Sequence, residues 1–167
     1  PYKLNGMCRH QDMRPYGIAL DDDMHRRDLR MLKDMGCNFI RLAHYPQAEA
    51  VLEMCDKLGM LVWEEIPVVN YVPEDDEFAD NACLQLREMI RQHYNHSSII
   101  LWGYMNEILL KANHEYPKQL EFEKEIERIN ALAARLEKIV HEEDDTRHSV
   151  MALHGSDDYN KFLVANH

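Results

Sequence analysis

The chain has 167 residues, an apolar fraction of 46% and a formal net charge of −11, values that predict one globular domain or part of one. Thirty acidic against nineteen basic side chains argue against a nucleic-acid partner. No apolar run approaches the roughly 20 residues that a membrane-spanning helix needs. We attribute much of the acidic charge to solvated runs such as 21–23 and 142–145. The four cysteines form no C-x-x-C pair, which favours buried free thiols over a zinc site or disulfides.

Strand and helix signals alternate along the whole chain. The predicted order is a strand at 4–8, a helix from a cap at Asp21 to 35, a strand at 38–43, a helix at 47–58, a strand at 60–63, a helix at 78–93, a strand at 98–104, a helix at 117–141 and a strand at 149–153. Gly36 and Gly59 follow the first two helices, as expected of residues that end a helix.

Apolar residues at helical spacing predict which face of each helix is buried. In the first helix they are Met24, Met31, Leu32 and Met35, and in the third Cys83, Leu86 and Ile90. In the last helix they are Phe122, Ile126, Ile129, Ala133, Leu136 and Val140. The last set spans fewer than three heptads, so it favours the inner face of a barrel helix over a coiled coil.

The alternation of strands and helices predicts an α/β fold with a parallel sheet wrapped by helices. An open doubly wound sheet and a (β/α)8 barrel both fit this order. A complete barrel needs about 250 residues, so residues 1–167 would hold about its first five β/α units. We expect them to be the N-terminal part of a single barrel domain of a longer protein. The first residue is Pro1 rather than Met, so we expect the natural N-terminus upstream and predict no compartment.

Polar residues cluster where each predicted strand ends. In chain order they are Arg9 and His10, then Arg41, His44 and Tyr45, then Glu64 and Glu65, then Asn106 and Glu107, and finally His154. The carboxyl ends of barrel strands meet at one mouth, so this set predicts a polar pocket with several titratable groups. The strongest signal is an apolar strand that ends in an amide and a carboxylate, Asn106 and Glu107.

Four stretches of the chain resemble glycoside hydrolase family 2, the family of β-galactosidases, β-glucuronidases and β-mannosidases. They are GMCRH at 6–10, NFIRLAHYP at 38–46, CDKLG at 55–59 and NHSSIILWGYMNE at 95–107. They occur in the family's order over nearly the whole chain. An Asn-Glu pair alone is a weak signal, whereas four pieces in order are specific.

The resemblance implies a retaining hydrolase that works with two carboxylates. Glu107 would be the catalytic acid and then the base, and Asn106 would bind the sugar 2-hydroxyl. Arg41 would lie near the nucleophile, and His10 and His44 would bind other sugar hydroxyls. The family's nucleophile is a second glutamate after the seventh strand, which this chain does not supply. We therefore expect the isolated chain to hydrolyse nothing.

Among the family's activities the segments 10–12, 17–21 and 45–47 favour an exo-acting β-galactosidase. The alternatives are a β-glucuronidase or β-mannosidase, or a non-catalytic carbohydrate-binding or assembly module. The magnesium-ligand positions of some β-galactosidases fall on Val69 and Tyr71, so the resemblance implies no metal and no other cofactor. The expected partner is a carbohydrate substrate, with no nucleic acid and no membrane, and a homo-oligomer is left open.

Several side chains also have purely structural interpretations. Trp63 and Trp102 are expected in the core because they lie on strands. Tyr71, in a loop, is the better candidate for stacking on a sugar. His93, His96 and His114 are expected at the surface or in loops, without ligand spacing for a metal.

Overall fold

The computed structural model describes residues 1–110 and 119–152, with the backbone alone at 119–121. In chain order the elements are β1 (Gly6–Arg9), α1 (Asp22–Asp34), β2 (Phe39–Leu42), α2 (Glu49–Leu58), β3 (Leu61–Glu65), α3 (Asp76–His93), β4 (Ile99–Asn106), α4 (Gln119–Glu143) and β5 (His148–Ala152). The five strands follow one another across one sheet in the order β1-β2-β3-β4-β5, and β1, β2 and β3 pair in parallel. The predicted partial (β/α) barrel is confirmed. No helix of the described residues is long and apolar enough to cross a membrane.

Two strands extend beyond their predicted ends. β3 continues to Glu65, so Glu64 and Glu65 are buried strand residues rather than the start of a loop. β4 continues to Asn106, which leaves Glu107 as the first residue after the strand. The predicted strand-end residue His154 and also His114 lie outside the described residues.

The chain forms two compact units, of which the first comprises Pro1–Glu64 with Asn95–Leu101. In this unit α1 packs against α2. Its core is apolar and close to fully buried, and includes Leu29, Ile40, Leu42, Val51, Leu52, Cys55, Met60 and Val62. Gly59 ends α2 in the left-handed conformation (φ 60°), as predicted.

The predicted buried face of α1 is wrong at Met31 and Met35, which are exposed, whereas Met24 and Leu32 are half-buried. The cap is confirmed, because Asp21 Oδ1 accepts a hydrogen bond of 2.8 Å from the Met24 amide. However, the buried residues of the helix are His25 and Leu29, whereas Met31 is 53% exposed. A buried histidine one turn from a leucine defines the inner face here, and a hydropathy pattern does not count histidine as a core residue.

The second unit comprises Glu65–Tyr94 and the described residues from Trp102 onward. In it α3 packs against α4, and α4 against β5. The buried faces predicted for these helices are confirmed at Cys83, Leu86, Ile90, Ile129, Ala133, Leu136 and Val140. Ion pairs from Arg87 and Arg91 to Glu143 join the two helices at 2.8 and 2.6 Å.

Asp144 is buried, which corrects the prediction that the run 142–145 is solvated throughout. Its carboxylate accepts hydrogen bonds from the Thr146 hydroxyl (2.6 Å) and amide (2.9 Å), from Trp102 Nε1 (2.8 Å) and from Arg147 Nη1 (2.7 Å). Burial alone would raise the pKa of Asp144, but these donors outweigh burial and hold it well below its ordinary value. Trp102 is fully buried, as predicted, and its indole N–H is satisfied by this carboxylate.

The cysteines are free thiols, and Cys37, Cys55 and Cys83 are buried as predicted. Burial raises the pKa of the Cys55 thiol to about 12, which keeps it protonated and unreactive. Cys8 is exposed, and the expectation of burial is wrong there. It lies on β1, the first strand of the sheet, where only the last of four residues is buried.

Candidate active site

The first group of predicted site residues lies in the first unit and forms what we term the histidine cluster: His10, Arg41, His44 and Tyr45. His10 directly follows β1, and His44 and Tyr45 follow β2. The His10 and His44 rings meet edge to face, with centroids 5.1 Å apart and planes at 77°. The Tyr45 ring lies 6.2 Å from His10. The structure therefore brings together side chains from two motifs that are separate in the sequence, GMCRH at 6–10 and NFIRLAHYP at 38–46.

Arg41 orients His44. Its Nη2 lies 3.2 Å from His44 Nδ1, and because a guanidinium can only donate, Nδ1 must be the acceptor. The proton of the neutral imidazole then resides on Nε2. The Arg41 guanidinium also stacks 4.4 Å from the centre of the Trp63 ring, its register partner on β3. Trp63, which was expected in the core, is half-buried, and its ring packs against the Arg41 guanidinium.

A buried network around Arg9 lies behind this cluster, and sequence reasoning missed it. Arg9 donates to Gln47 Oε1, to His25 Nδ1 (3.0 Å) and to Asp28 Oδ2 (2.9 Å). The Arg9 carbonyl accepts from Gln47 Nε2 (2.7 Å). Burial and then the Arg9 charge lower the pKa of His25, as suits a ring that must accept from Arg9. The sequence motif identified Arg9 as a polar residue at the end of a strand. It could not predict the partners of Arg9, because they lie on α1 and in the segment before α2, outside that motif.

Gln11 joins the two loops that carry the histidines. Its backbone amide donates to the Tyr45 hydroxyl at 3.0 Å, and its side-chain oxygen accepts from the Ala48 amide at 2.6 Å. The loop after β1 is thus fastened to the loop after β2 by both main-chain and side-chain bonds. These bonds adjoin His10 and His44 in the chain and hold their two loops together.

The second group is the Asn106–Glu107 pair in the second unit. Within 102–109 every residue is buried except Glu107, so its carboxylate is the one group of this stretch presented to solvent. Asn106 is 6% exposed and ends β4. Glu107 adopts a left-handed backbone with φ 46°, which is unusual for a residue with a side chain. Strained conformations of this kind concentrate at functional sites.

Main-chain hydrogen bonds hold this pair. The Asn106 amide donates to Val68 O (2.9 Å), and the Asn106 carbonyl accepts from the Asn70 amide (3.0 Å). The Glu107 amide donates to Ala152 O (2.8 Å) at the end of β5. The pair is therefore fixed without using the Glu107 carboxylate.

Two further motif pieces, CDKLG at 55–59 and NHSS at 95–98, contact each other. His96 lies between two carboxylates, with Nδ1 2.7 Å from Asp56 and Nε2 2.9 Å from Glu49. Asp56 also accepts from the Ser98 amide at 2.8 Å and from the Ser97 hydroxyl at 3.3 Å. We term these residues the strand-start clamp, because they fasten α2 to the start of β4.

The clamp accounts for the chemistry of His96. Burial disfavours its charged form, but the hydrogen bonds to Asp56 and Glu49 outweigh burial and raise the pKa of the ring. His96 lies in a loop, as predicted, yet its side chain is only 13% exposed. His93 was expected at the surface or in a loop, and that prediction is wrong: it is 6% exposed on the last turn of α3.

No group of three or more histidine, cysteine or acidic side chains in 1–110 and 119–152 is arranged to hold a metal ion. Val69 bridges in parallel to Asn106, and Tyr71 is 39% exposed. Neither side chain is a good ligand for magnesium.

Residues 1–153 match the family model described as glycosyl hydrolases family 2, TIM barrel domain. The chain belongs to glycosyl hydrolase family 2. β-Glucuronidase 2 of Bacteroides uniformis, covalently bound to cyclophellitol-6-carboxylate aziridine in its structure, is 60% identical, with a TM-score of 0.94 over 97% of this chain and 19% of its own. A β-glucuronidase of Bacteroides fragilis is 41% identical over 98% of this chain and 22% of the relative. A β-galactosidase of Thermoanaerobacter pseudethanolicus is 39% identical over 72% of this chain and 16% of the relative.

This family 2 chain spans about a fifth of the length of the relatives that it matches most completely. The predicted family and the predicted barrel fold are confirmed by these matches. The relatives carry the names of both β-glucuronidases and β-galactosidases, so the comparisons agree on glycosidases of the family and differ in the sugar.

Proposed function

We propose that the complete protein containing this chain is a retaining β-glycosidase, and that Glu107 is its acid/base residue. The observation that carries this proposal is the position of Glu107: the one exposed residue of 102–109, directly after β4, in a left-handed backbone conformation. A carboxyl group placed there can reach a bound substrate while its neighbours remain packed. Active sites of TIM barrels are built at this end of the strands.

In the proposed reaction Glu107 gives its proton to the glycosidic oxygen as the bond to the anomeric carbon breaks. A second carboxylate bonds to that carbon and forms a glycosyl ester. Glu107, now ionised, takes a proton from the water that attacks the ester and releases the second carboxylate, which restores both groups. A covalent route is supported by the Bacteroides uniformis relative, whose structure contains a covalently bound cyclophellitol-6-carboxylate aziridine.

The other predicted site residues bind the sugar in this proposal. Asn106 bonds the 2-hydroxyl, a contact that strengthens in the transition state. His10 and His44, whose rings meet edge to face, bind other hydroxyls of the sugar, and Arg41 orients the His44 ring through Nδ1. Arg41 would also hold the nucleophilic carboxylate in its ionised form through a charge-assisted hydrogen bond.

The chain itself, in this proposal, supplies the first five β/α units of a single barrel, and the nucleophile comes from a later strand of the same protein. Two carboxylates about 5–5.5 Å apart are needed for the retaining route. The isolated chain would therefore not turn over a glycoside.

For the sugar, similarity supports a β-glucuronide first, because the relative with 60% identity is a β-glucuronidase. A β-galactoside, favoured by the motif loops, is the second candidate and is supported by the relative with 39% identity. The two sugars differ at C5, which carries a carboxylate in one and a hydroxymethyl group in the other, and in the orientation of the hydroxyl at C4. The partner in either case is a carbohydrate.

The test uses the complete protein and nitrophenyl β-glycosides of glucuronic acid, galactose and mannose. Turnover of one of them identifies the sugar, whereas binding without turnover would favour a non-catalytic carbohydrate-binding module. The variant Glu107→Gln then tests the acid role. We expect kcat/KM to fall by about 10²–10⁴-fold for an alkyl β-glycoside and to change little for a dinitrophenyl β-glycoside, whose leaving group needs no proton. Equal losses on both substrates would contradict the assignment.

A further inference from the structure

Two non-glycine residues of 1–110 and 119–152 have a left-handed backbone: Asn70 (φ 72°) and Glu107 (φ 46°). They are far apart in sequence, yet both adjoin Asn106. Glu107 follows it in the chain, and the Asn70 amide donates to its carbonyl oxygen at 3.0 Å. The carbonyl of Asn106 belongs to the peptide group that begins Glu107, so Asn70 bonds the same peptide plane whose rotation sets φ of Glu107.

Residues 66–70 directly follow β3 in the chain and run beside the last residues of β4, to which they are hydrogen-bonded. The Ile66 amide donates to Gly103 O (3.2 Å), and the Asn106 amide donates to Val68 O (2.9 Å). Val69 pairs with Asn106 as an isolated parallel bridge. The bond from Asn70 is the last of this series, and it falls where β4 gives way to Glu107.

Asn70 suits this position because asparagine tolerates a left-handed backbone conformation, and not because of the size of its side chain. Asparagine adopts the left-handed conformation more readily than other residues with a Cβ, whereas a β-branched residue strongly resists it. The Asn70 side chain is exposed, so the protein does not need its volume for packing. Glu107, by contrast, has no such intrinsic preference, and its conformation must be imposed by its neighbours.

We propose that Asn70 is a positioning residue for Glu107, acting through the Asn106–Glu107 peptide group. The inference rests on the proposed acid/base role of Glu107. A left-handed turn at Asn70 places its N–H on the Asn106 carbonyl, and this bond fixes the orientation from which the Glu107 side chain leaves the end of β4. Loss of the turn would remove the bond on the carbonyl side of this peptide and leave only the bond from the Glu107 amide to Ala152 O (2.8 Å). The peptide could then tilt about that remaining bond and move the carboxyl group away from the leaving oxygen.

The test compares Asn70→Gly, Asn70→Ala and Asn70→Val in the complete protein. Each is assayed on an alkyl and a dinitrophenyl β-glycoside of the sugar that the protein cleaves. Glycine keeps the left-handed conformation, so we expect kcat/KM within about twofold of wild type on both substrates. Valine resists it, so we expect a loss of about tenfold or more on the alkyl glycoside and little loss on the dinitrophenyl glycoside. Alanine should fall between them, and it carries the test if the valine variant does not fold.

The ratio of the two rates separates this role from a structural one, because general damage to the fold lowers both rates together. Equal losses on the two substrates, or no loss for alanine and valine, would overturn the role of Asn70. Glu107→Gln is assayed in parallel. If Glu107→Gln itself shows no dependence on the leaving group, the acid assignment fails. If Glu107→Gln shows it and Asn70→Val does not, only the positioning role fails.

Discussion

The two ends of β4 are held in different ways. At its start, side chains do the holding: Asp56 accepts from the Ser98 amide, and His96 binds Asp56 and Glu49. At its end, main-chain groups do it: the Asn106–Glu107 pair is bonded by backbone atoms of 68, 70 and 152. The charged side chains at the start of β4 are thus engaged with one another, whereas the Glu107 carboxylate after its end makes no such bond to the part of the chain that the structure describes.

The difference separates stability from chemistry within a single motif. A carboxylate that accepts several hydrogen bonds, as Asp56 does, has a depressed pKa and cannot act as an acid near neutral pH. A carboxylate held only through its own backbone keeps its oxygens for a substrate. Substitution of a carboxylate of the first kind should therefore lower the free energy of unfolding, and substitution of one of the second kind should lower the rate of catalysis.

The largest stability effect is expected at Asp144, which anchors the middle of β4 through Trp102. Asp144→Asn breaks an ion pair with Arg147 and replaces one of the two oxygens that accept from four donors on Trp102, Thr146 and Arg147. We expect the free energy of unfolding to fall by about 3 kcal/mol, measured as a lower urea midpoint of the complete protein. Asp145, the exposed neighbour of Asp144, offers a matched control. Asp145→Asn should change the free energy of unfolding by no more than about 0.5 kcal/mol. The ratio of rates on alkyl and dinitrophenyl glycosides should stay unchanged.

A smaller loss is expected when the strand-start clamp is opened. Asp56→Ala removes the acceptor of the Ser98 amide, the Ser97 hydroxyl and His96. We expect destabilisation by about 2 kcal/mol, since a partly buried donor is left unsatisfied. Glu53→Ala, on the exposed side of the same helix, is the control. A change in leaving-group dependence for Asp56→Ala would break the separation between the two ends of β4.

The smallest effect is the pH dependence contributed by His96. Its pKa is raised in the folded state, so the folded protein binds the proton more tightly than the unfolded chain does. The stabilisation is complete below the unfolded pKa of about 6.5 and is lost as the pH rises through the raised pKa. For a side chain near the surface we expect at most about 1 kcal/mol. Comparing urea midpoints at pH 6 and pH 9 should show a decrease that His96→Gln reduces. An unchanged pH dependence in that variant would contradict the role of the clamp.

Much of the fold could be predicted from the sequence because its signals are local. β4 is a run of β-branched and aromatic residues that ends in Asn-Glu, and α4 has apolar residues on one face over its full length. The failures occur where tertiary partners override local pattern. Met31 lies on the predicted inner face of α1 and is exposed, while His25 is buried and hydrogen-bonded to Arg9.

The residues of the candidate site also fall into those that the sequence predicts and those that it does not. Glu107, Asn106, His10, His44 and Arg41 could be named from motifs, because their chemistry depends on side-chain identity. Asn70 could not, because its bond to Asn106 uses main-chain atoms that every residue possesses. Its signal, a positive φ, exists only in three dimensions.

The account depends most on Glu107 being the acid/base residue, and Glu107→Ala assayed with azide in the complete protein tests this directly. Alanine leaves room for the anion, which can attack the glycosyl ester without a base. We predict that azide restores turnover of a dinitrophenyl β-glycoside and that the product is the β-glycosyl azide, since two displacements retain the configuration. An α-glycosyl azide would identify Glu107 as the nucleophile, and a variant that azide does not accelerate would contradict the acid/base assignment.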